Sequence, residues 1–255
     1  MKTALITGAT SGIGKEFAIQ LAEKGYRLII VGRRVERLEE LKSDLLVPVE
    51  IIPCDLSKKK ECFELLKKLE DENIDVFINN AGFGLAGSFM ETDIKKEVNM
   101  IKVNDIAMHI LFKGILQNMA EVGQGNILNV CSSAGLLPAG PYMATYYASK
   151  AYMVSLTRAV ARELKEAKSN IKVSALCPGP VDTEFNDTAD VVFALKGISA
   201  KQCVREAIAG MKKGKLIIVP SIKMKLATTF SHLLPYPALV AITGRQQKKK
   251  LGNQS

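Results

Sequence analysis

Along the chain, short apolar runs alternate with longer stretches in which apolar residues return every three or four positions. The runs KTALIT (2–7), RLIIV (27–31), VPVEIIP (47–53), DVFIN (75–79), GNILNVC (125–131), IKVSALC (171–177) and KLIIVP (215–220) have the length and the aliphatic, β-branched content of strands. Helical spacing fills 13–25, 35–46, 58–72 and 146–168, with a further long helix around 95–120. Alternation of this kind requires parallel strands joined by helical crossovers. The pattern therefore predicts an α/β fold, a Rossmann-like doubly wound parallel sheet of about seven strands with helices on both faces. Ligands of such sheets bind beyond the carboxyl ends of the strands, so candidate chemistry is sought there.

The first strand runs into TGATSGIG (7–14) and a helix opens within it. Gly8 permits a tight turn, Gly12 lets the backbone approach a pyrophosphate, and Gly14 allows close packing of helix on strand; Thr10, Ser11 and Ile13 complete the loop. Free amides at the helix start suit an anion. The second strand ends in VGRR, where a dinucleotide fold that binds a free ribose hydroxyl would carry an acid. Arg33 and Arg34 instead suit a 2′-phosphate, the alternative being two solvated charges at a helix start. After the third strand, Asp55, followed by Leu56, either accepts from an adenine amino group or caps the next helix. After the fourth, Asn80, Ala81 and Gly82 are small enough for close approach of a cofactor, or form a plain turn.

In TYYASK (145–150), Tyr146 and Lys150 lie four apart and share a helix face, whereas Tyr147 points elsewhere. Taken alone the pair also fits an amphipathic helix with core tyrosine and surface lysine.

Length and composition narrow the classes. With 255 residues, 47% hydrophobic and 24% charged, and without a linker or repeat, the chain reads as one domain over 1–255. The formal charge of +9 admits nucleic acid, but aromatic residues are 6%, Trp is absent, and the lysines read as dispersed among acids; nucleic-acid binding is not expected. Five separated cysteines without C-x-x-C spacing predict reduced thiols and a cytoplasmic setting, and no metal site is expected from them or from His109 and His232. The first strand starts at the N-terminus, which leaves no room for a signal peptide.

TGATSGIG, NNAG, Asn104 within a long helix, NVCSSAG, YYASK and PGPVDT, in this order, resemble the short-chain dehydrogenase/reductase family over roughly residues 2–220. The wider pattern is similar to bacterial reductases related to hydroxysteroid and 3-ketoacyl reductases. The resemblance implies an NADP(H) cofactor and hydride transfer between it and a carbonyl or alcohol carbon. Within it, Tyr146 would be the general acid, and Lys150 would lower the phenol pKa from about 10 and hold the ribose hydroxyls. Asn104 would link Lys150 to solvent through water. Two serines compete for the third role: counting from Asn129 and from Gly135 selects Ser132, while the family's usual distance from the tyrosine selects Ser133, and strand register favours Ser132. In PGPVDT, Pro178, Gly179, Val181 and Thr183 would close over the nicotinamide, Thr183 being otherwise a helix cap. A homodimer or homotetramer built on the 95–120 and 146–168 helices follows by the same analogy. The rival is a non-catalytic NADP-binding protein on the same fold.

The apolar segment 185–199 is expected to form a substrate lid and to favour a hydrophobic ketone or aldehyde. The extension 221–255 contains an uncharged stretch, 226–243, flanked by cations and interrupted by Pro235 and Pro237. It could pack on the cleft or a subunit, lie on an anionic membrane surface, or span a bilayer, in falling order of expectation.

Overall fold

A computed structural model describes residues 1–183, 197–231 and 233–251. The elements in the first half are β1 (Thr3–Thr7), α1 (Gly12–Ala22), β2 (Arg27–Gly32), α2 (Val35–Ser43), β3 (Val49–Pro53), α3 (Lys59–Lys68) and β4 (Val76–Asn79). Then come α4 (Ile94–Ile101), a π-helical turn (Lys102–Ala107), α5 (Met108–Val122), β5 (Gln124–Val130), a 3-10 turn (Ser133–Leu136), α6 (Ala144–Glu166) and β6 (Asn170–Leu176). The chain continues through β7 (Val181–Asp182), β8 (Ile198–Ser199), α7 (Ala200–Lys212), β9 (Ile217–Ile218), α8 (Ile222–Ser231) and α9 (Tyr236–Leu251).

Seven parallel strands form one sheet in the order β3-β2-β1-β4-β5-β6-β9. The predicted α/β fold with its seven strands is therefore present. The order reverses direction beside β1, between β1 and β4, and a doubly wound sheet opens a ligand crevice at such a point. All five residues of β1 are buried, as a parallel strand covered on both faces requires. One core layer packs Leu5, Ile29, Phe77 and Ile127 against Leu111, Phe112 and Ile115 of α5 and Met153 of α6. The opposite layer packs Ile6, Ile30 and Leu128 against Phe17 and Leu21 of α1 and Cys203 and Val204 of α7.

Element ends differ from the sequence reading in ways that have local causes. The run 215–220 shrinks to two strand residues, because β9 is an edge strand pairing only Ile217 and Ile218 with β6. The first helix stops three residues before Gly25, which takes φ of +77° in the turn into β2. The single helix expected around 95–120 is broken by the π turn that contains Asn104. Buried between strands, Asn79 donates to Asn129 Oδ1 (3.0 Å), and Asn129 donates to Thr157 Oγ1 (2.9 Å). This polar line ties β4, β5 and α6 in register, and buried polar groups satisfied in this way carry no desolvation penalty for a missing partner.

Of the lid expected over 185–199, residues 185–196 lie outside the described residues, and so does His232.

A candidate nucleotide and catalytic cleft

The carboxyl ends of β1, β2, β4, β5 and β6 open on one cleft of about 570 Å³. Every site residue expected from the sequence lines it except Gly14 and Asn104, which stand immediately behind the wall. Gly8 and Gly12 have φ of +67° and +54°, values that favour glycine, so the loop from β1 to α1 turns tightly. A side chain at Gly14 would put its Cβ 2.2 Å from the Gly8 carbonyl oxygen, which is the close helix-to-strand packing the sequence called for. Ser11 precedes α1 without a side-chain cap hydrogen bond, and the first turn has no acid. The helix therefore presents its amide dipole to an anion.

At the end of β2, Arg34 Nη2 donates to Thr10 Oγ1 (2.7 Å) and Ser11 Oγ (3.2 Å), bringing its guanidinium onto the glycine loop. Both arginines are exposed. Burial opposes ionisation of Asp55, but hydrogen bonds from Ser57 and the charge of Arg33 hold its carboxyl below the usual value. Asp55 Oδ1 accepts from the Ser57 amide (3.1 Å) and hydroxyl (2.8 Å), so it forms a local turn two residues ahead of α3. Asn80 is a brace: its Nδ2 donates to the carbonyls of Thr7 (2.9 Å) and Gly8 (3.2 Å). That bond role exceeds the small-residue reading of NNAG.

At the other end of the cleft Ser132, Tyr146 and Lys150 come together. The Ser132 hydroxyl accepts from the Ala134 amide (3.1 Å) and lines the cleft with Tyr146, whose pKa it lowers. Both serines line the cleft, and the Ser133 backbone amide donates to the Pro178 carbonyl (2.8 Å). Lys150, only 4% exposed, donates through Nζ to the Val130 carbonyl (3.1 Å), and its Nζ lies 5.9 Å from the centre of the Tyr146 ring. Burial lowers the Lys150 pKa and raises that of Tyr146 above the ordinary phenol value, Ser132 acting against the latter.

Asn104 is fully buried. Its Oδ1 accepts from the Phe83 amide (3.0 Å), and its Nδ2 donates to the Phe83 carbonyl (2.9 Å) and to Ser149 Oγ (3.2 Å). It thus fastens the loop after β4 to α6. A Cβ at Gly82 would lie 2.9 Å from Asn104 Oδ1 and 3.3 Å from Lys150 Nζ, so glycine is needed for these three to pack together. π turns concentrate where a helix is reshaped for a site, and this one places Asn104 there.

Tyr147 departs from the sequence reading. It lies on another helix face than Tyr146, with the rings edge to face at 6.4 Å, yet it is buried and lines the same cleft. Its hydroxyl accepts from Gln247 Nε2 of α9 (2.6 Å). Met224, Gln246 and Gln247 of the two C-terminal helices also line the cleft, as do Phe83, Leu137 and Met143. The extension thus contributes to the pocket wall. Nothing in the local pattern of residues 221–255 pairs them with Tyr147. Among the described residues, no group of three His, Cys, Asp or Glu could hold a metal.

The short chain dehydrogenase family model matches residues 2–194. The chain belongs to the short-chain dehydrogenase family. A short-chain dehydrogenase from Sphingobium yanoikuyae solved with NADPH is 28% identical, covers 91% of this chain and 92% of its own, and superposes with a TM-score of 0.82. A bulky-bulky ketone specific alcohol dehydrogenase from Comamonas testosteroni is 27% identical, covers 91% and 93%, and has a TM-score of 0.76. A family protein from Burkholderia phymatum solved with NAD, 23% identical over 91% and 93%, shares the fold with a TM-score of 0.81. This member is an oxidoreductase with a nicotinamide cofactor, and its cleft fits that group: positive-φ glycines at a helix start, cations at one end, and a Tyr-Lys pair at the other.

Beside the site, one oxygen of Asp105 is buried without a hydrogen-bond partner. Burial pushes its pKa from 3.8 up to about 6, opposed by the charge of Lys150. A carboxyl with a raised folded-state pKa binds its proton more tightly folded than unfolded, so stability falls as pH rises from about 4 to about 6. Asp105→Asn is expected to stabilise the protein by about 1–2 kcal/mol near pH 8 and hardly at all near pH 4. Thermal unfolding at both pH values checks this; equal shifts would contradict a buried-charge origin.

Proposed function

We propose that this protein is an NADPH-dependent reductase of hydrophobic ketones or aldehydes, or the dehydrogenase of the corresponding alcohols, acting through Ser132, Tyr146, Lys150 and Asn104. The observation that carries the chemistry is that Ser132 and Tyr146 line one cleft, with the buried Lys150 Nζ 5.9 Å from the Tyr146 ring centre. A bound nicotinamide supplies the hydride at this end of the cleft. Ser132 and Tyr146 hold the carbonyl oxygen between two hydroxyls, and the Tyr146 phenol gives it a proton as negative charge develops there. Lys150 makes the phenol a stronger acid through its positive charge. Asn104 acts through position, holding the Phe83 loop and α6 so that Lys150 stays behind Tyr146. An intact set of this kind argues against a non-catalytic NADP-binding protein.

Apolar Phe83, Leu137, Met143 and Met224 on the cleft wall support a hydrophobic substrate, and the ketone specificity of the Comamonas testosteroni relative agrees with it. For the cofactor, Arg33 and Arg34 support a 2′-phosphate, and the presence of Pro178, Gly179, Val181 and Thr183 on the cleft wall supports their closing over the nicotinamide. Five buried, unpaired cysteines fit a reducing, cytoplasmic setting. Exposed Ile94, Val98, Ile101 and Ile106 along α4 and the π turn, with Tyr152 on α6, suit the subunit interface of a homodimer or homotetramer.

Purified protein is expected to oxidise NADPH when offered one or more of a panel of steroid ketones, 3-oxoacyl thioesters, quinones and aliphatic ketones. Inertness across the panel in both directions would favour the non-catalytic reading. In turnover, Tyr146→Phe is expected to be inactive while still binding NADPH, Tyr147→Phe to keep most activity, and Ser132→Ala to lose about 100-fold, far more than Ser133→Ala. Equal effects of the two tyrosines, or the reverse order of the serines, would reassign the site. NADPH is expected to exceed NADH in kcat/KM by at least about tenfold, or about 1.4 kcal/mol. Gly32→Asp with Arg33→Ala should reverse that order, and wild-type protein using both equally would reduce the arginines to surface charges.

A further inference from the structure

The net charge of the chain is not dispersed as its sequence first suggests. Residues 1–206 carry 26 Lys and Arg against 26 Asp and Glu, so they are neutral as a whole. Residues 207–255 carry nine cations and no acid. The entire excess of +9 therefore belongs to the last elements of the fold.

Helix α8 in that region is turned inside out. Its large apolar residues Ile222, Leu226 and Phe230 recur every four positions along one face, and they are 79%, 52% and 59% exposed. The residues it buries are Thr228 and Ser231. Their hydroxyls donate to carbonyls of the same helix, Thr228 to Met224 (2.9 Å) and Ser231 to Thr228 (2.8 Å), which lets small polar groups face the protein without a desolvation penalty. Lys223 and Lys225, both exposed, stand about a quarter turn to either side of the apolar stripe. The stripe continues into exposed Leu233, Leu234 and Tyr236. Beyond them a second cleft of about 550 Å³, apolar at Tyr142, Tyr236, Pro237 and Val240, has Arg245 and Lys248 at its edge. Apolar side chains exposed in a row, with cations beside them, are the pattern of a helix lying in a lipid interface.

We propose that α8 and the start of α9 dock this protein on an anionic bilayer surface, with the apolar stripe entering the acyl boundary and Lys223, Lys225, Arg245 and Lys248 meeting lipid headgroups. The attachment is peripheral, since no helix among the described residues is long and apolar enough to cross a membrane. Charge complementarity selects the occupant: an acid-free segment holding the whole excess charge matches a surface of phosphates, whereas a second copy of the same segment would set cation against cation. The buried face of α8 touches the main cleft through Met224, which packs over Gly179, so docking brings the cleft wall to the lipid.

The test is co-sedimentation of the full-length protein with phosphatidylcholine vesicles, with and without about one-third phosphatidylglycerol, at physiological salt. Binding is expected only to the anionic vesicles. Leu226→Ser with Phe230→Ser should abolish it, and Lys223→Glu with Lys225→Glu should weaken it by about 20-fold or more, each cation being worth about fivefold. These positions are exposed, so thermal unfolding should confirm an intact fold. Absence of wild-type binding, equal binding to both vesicle types, or binding unchanged in both variants overturns the proposal. A dimer in sedimentation velocity that the serine variants dissociate, with no vesicle binding, would assign the face to self-association instead.

Discussion

An amine buried at the end of a parallel strand sets the terms for the rest of this structure. Lys150 cannot be taken out of water without several kcal/mol of opposing free energy unless oxygen atoms and nearby charge replace the solvent. Val130 at the tip of β5 supplies a carbonyl, and the Asp105 carboxyl supplies charge. Asn104 and Ser149 fix the helix that carries the amine. The π turn, the glycine at position 82 and the placement of α6 across the sheet can all be understood as conditions for holding that one group behind Tyr146. The cost appears elsewhere, in the unpartnered oxygen of Asp105.

The two ends of the cleft are built by different physics. The end at β1 and β2 is made of backbone: positive-φ glycines, helix amides and a side-chain brace at Asn80, with arginines at the rim. It can accept an anion with little reorganisation, because its dipoles are fixed by the fold. The end at β5 and α6 is made of side chains, whose protonation equilibria depend on how far water is excluded. Burial alone moves Tyr146 and Lys150 in opposite directions, both toward their neutral forms. At Tyr146 the group that opposes burial is Ser132.

Much of this was legible in one dimension. The strands follow from aliphatic runs of fixed length, and the crossovers from helical spacing between them, because a parallel sheet buried on both faces leaves a continuous apolar signal. The glycine loop, Arg33 and Arg34, and the Tyr146–Lys150 spacing were readable since each depends on neighbours within one turn or one strand end. For the two serines, register favours Ser132, which follows β5 where its pairing with β6 ends at Val130, whereas the loop after it can change length. What could not be read depends on contacts between distant parts. The bond from Gln247 to Tyr147 joins residues one hundred apart. The π turn leaves no mark in residue type. The inward-facing hydroxyls of α8 defeat an argument from hydropathy, since there the periodicity is present and its sense is reversed.

The family match ends at residue 194, but the cleft does not. Met224, Gln246 and Gln247 add to its wall from helices beyond that limit, and Thr243 of α9 donates to the Ala139 carbonyl beside it (3.0 Å). Part of the cleft wall is thus encoded apart from the stretch that carries Ser132, Tyr146 and Lys150. Substitutions in the tail can reshape that wall without altering Ser132, Tyr146 or Lys150. Divergence in substrate choice among close relatives should accordingly be sought in their last forty residues or so, where overall similarity is a poor guide.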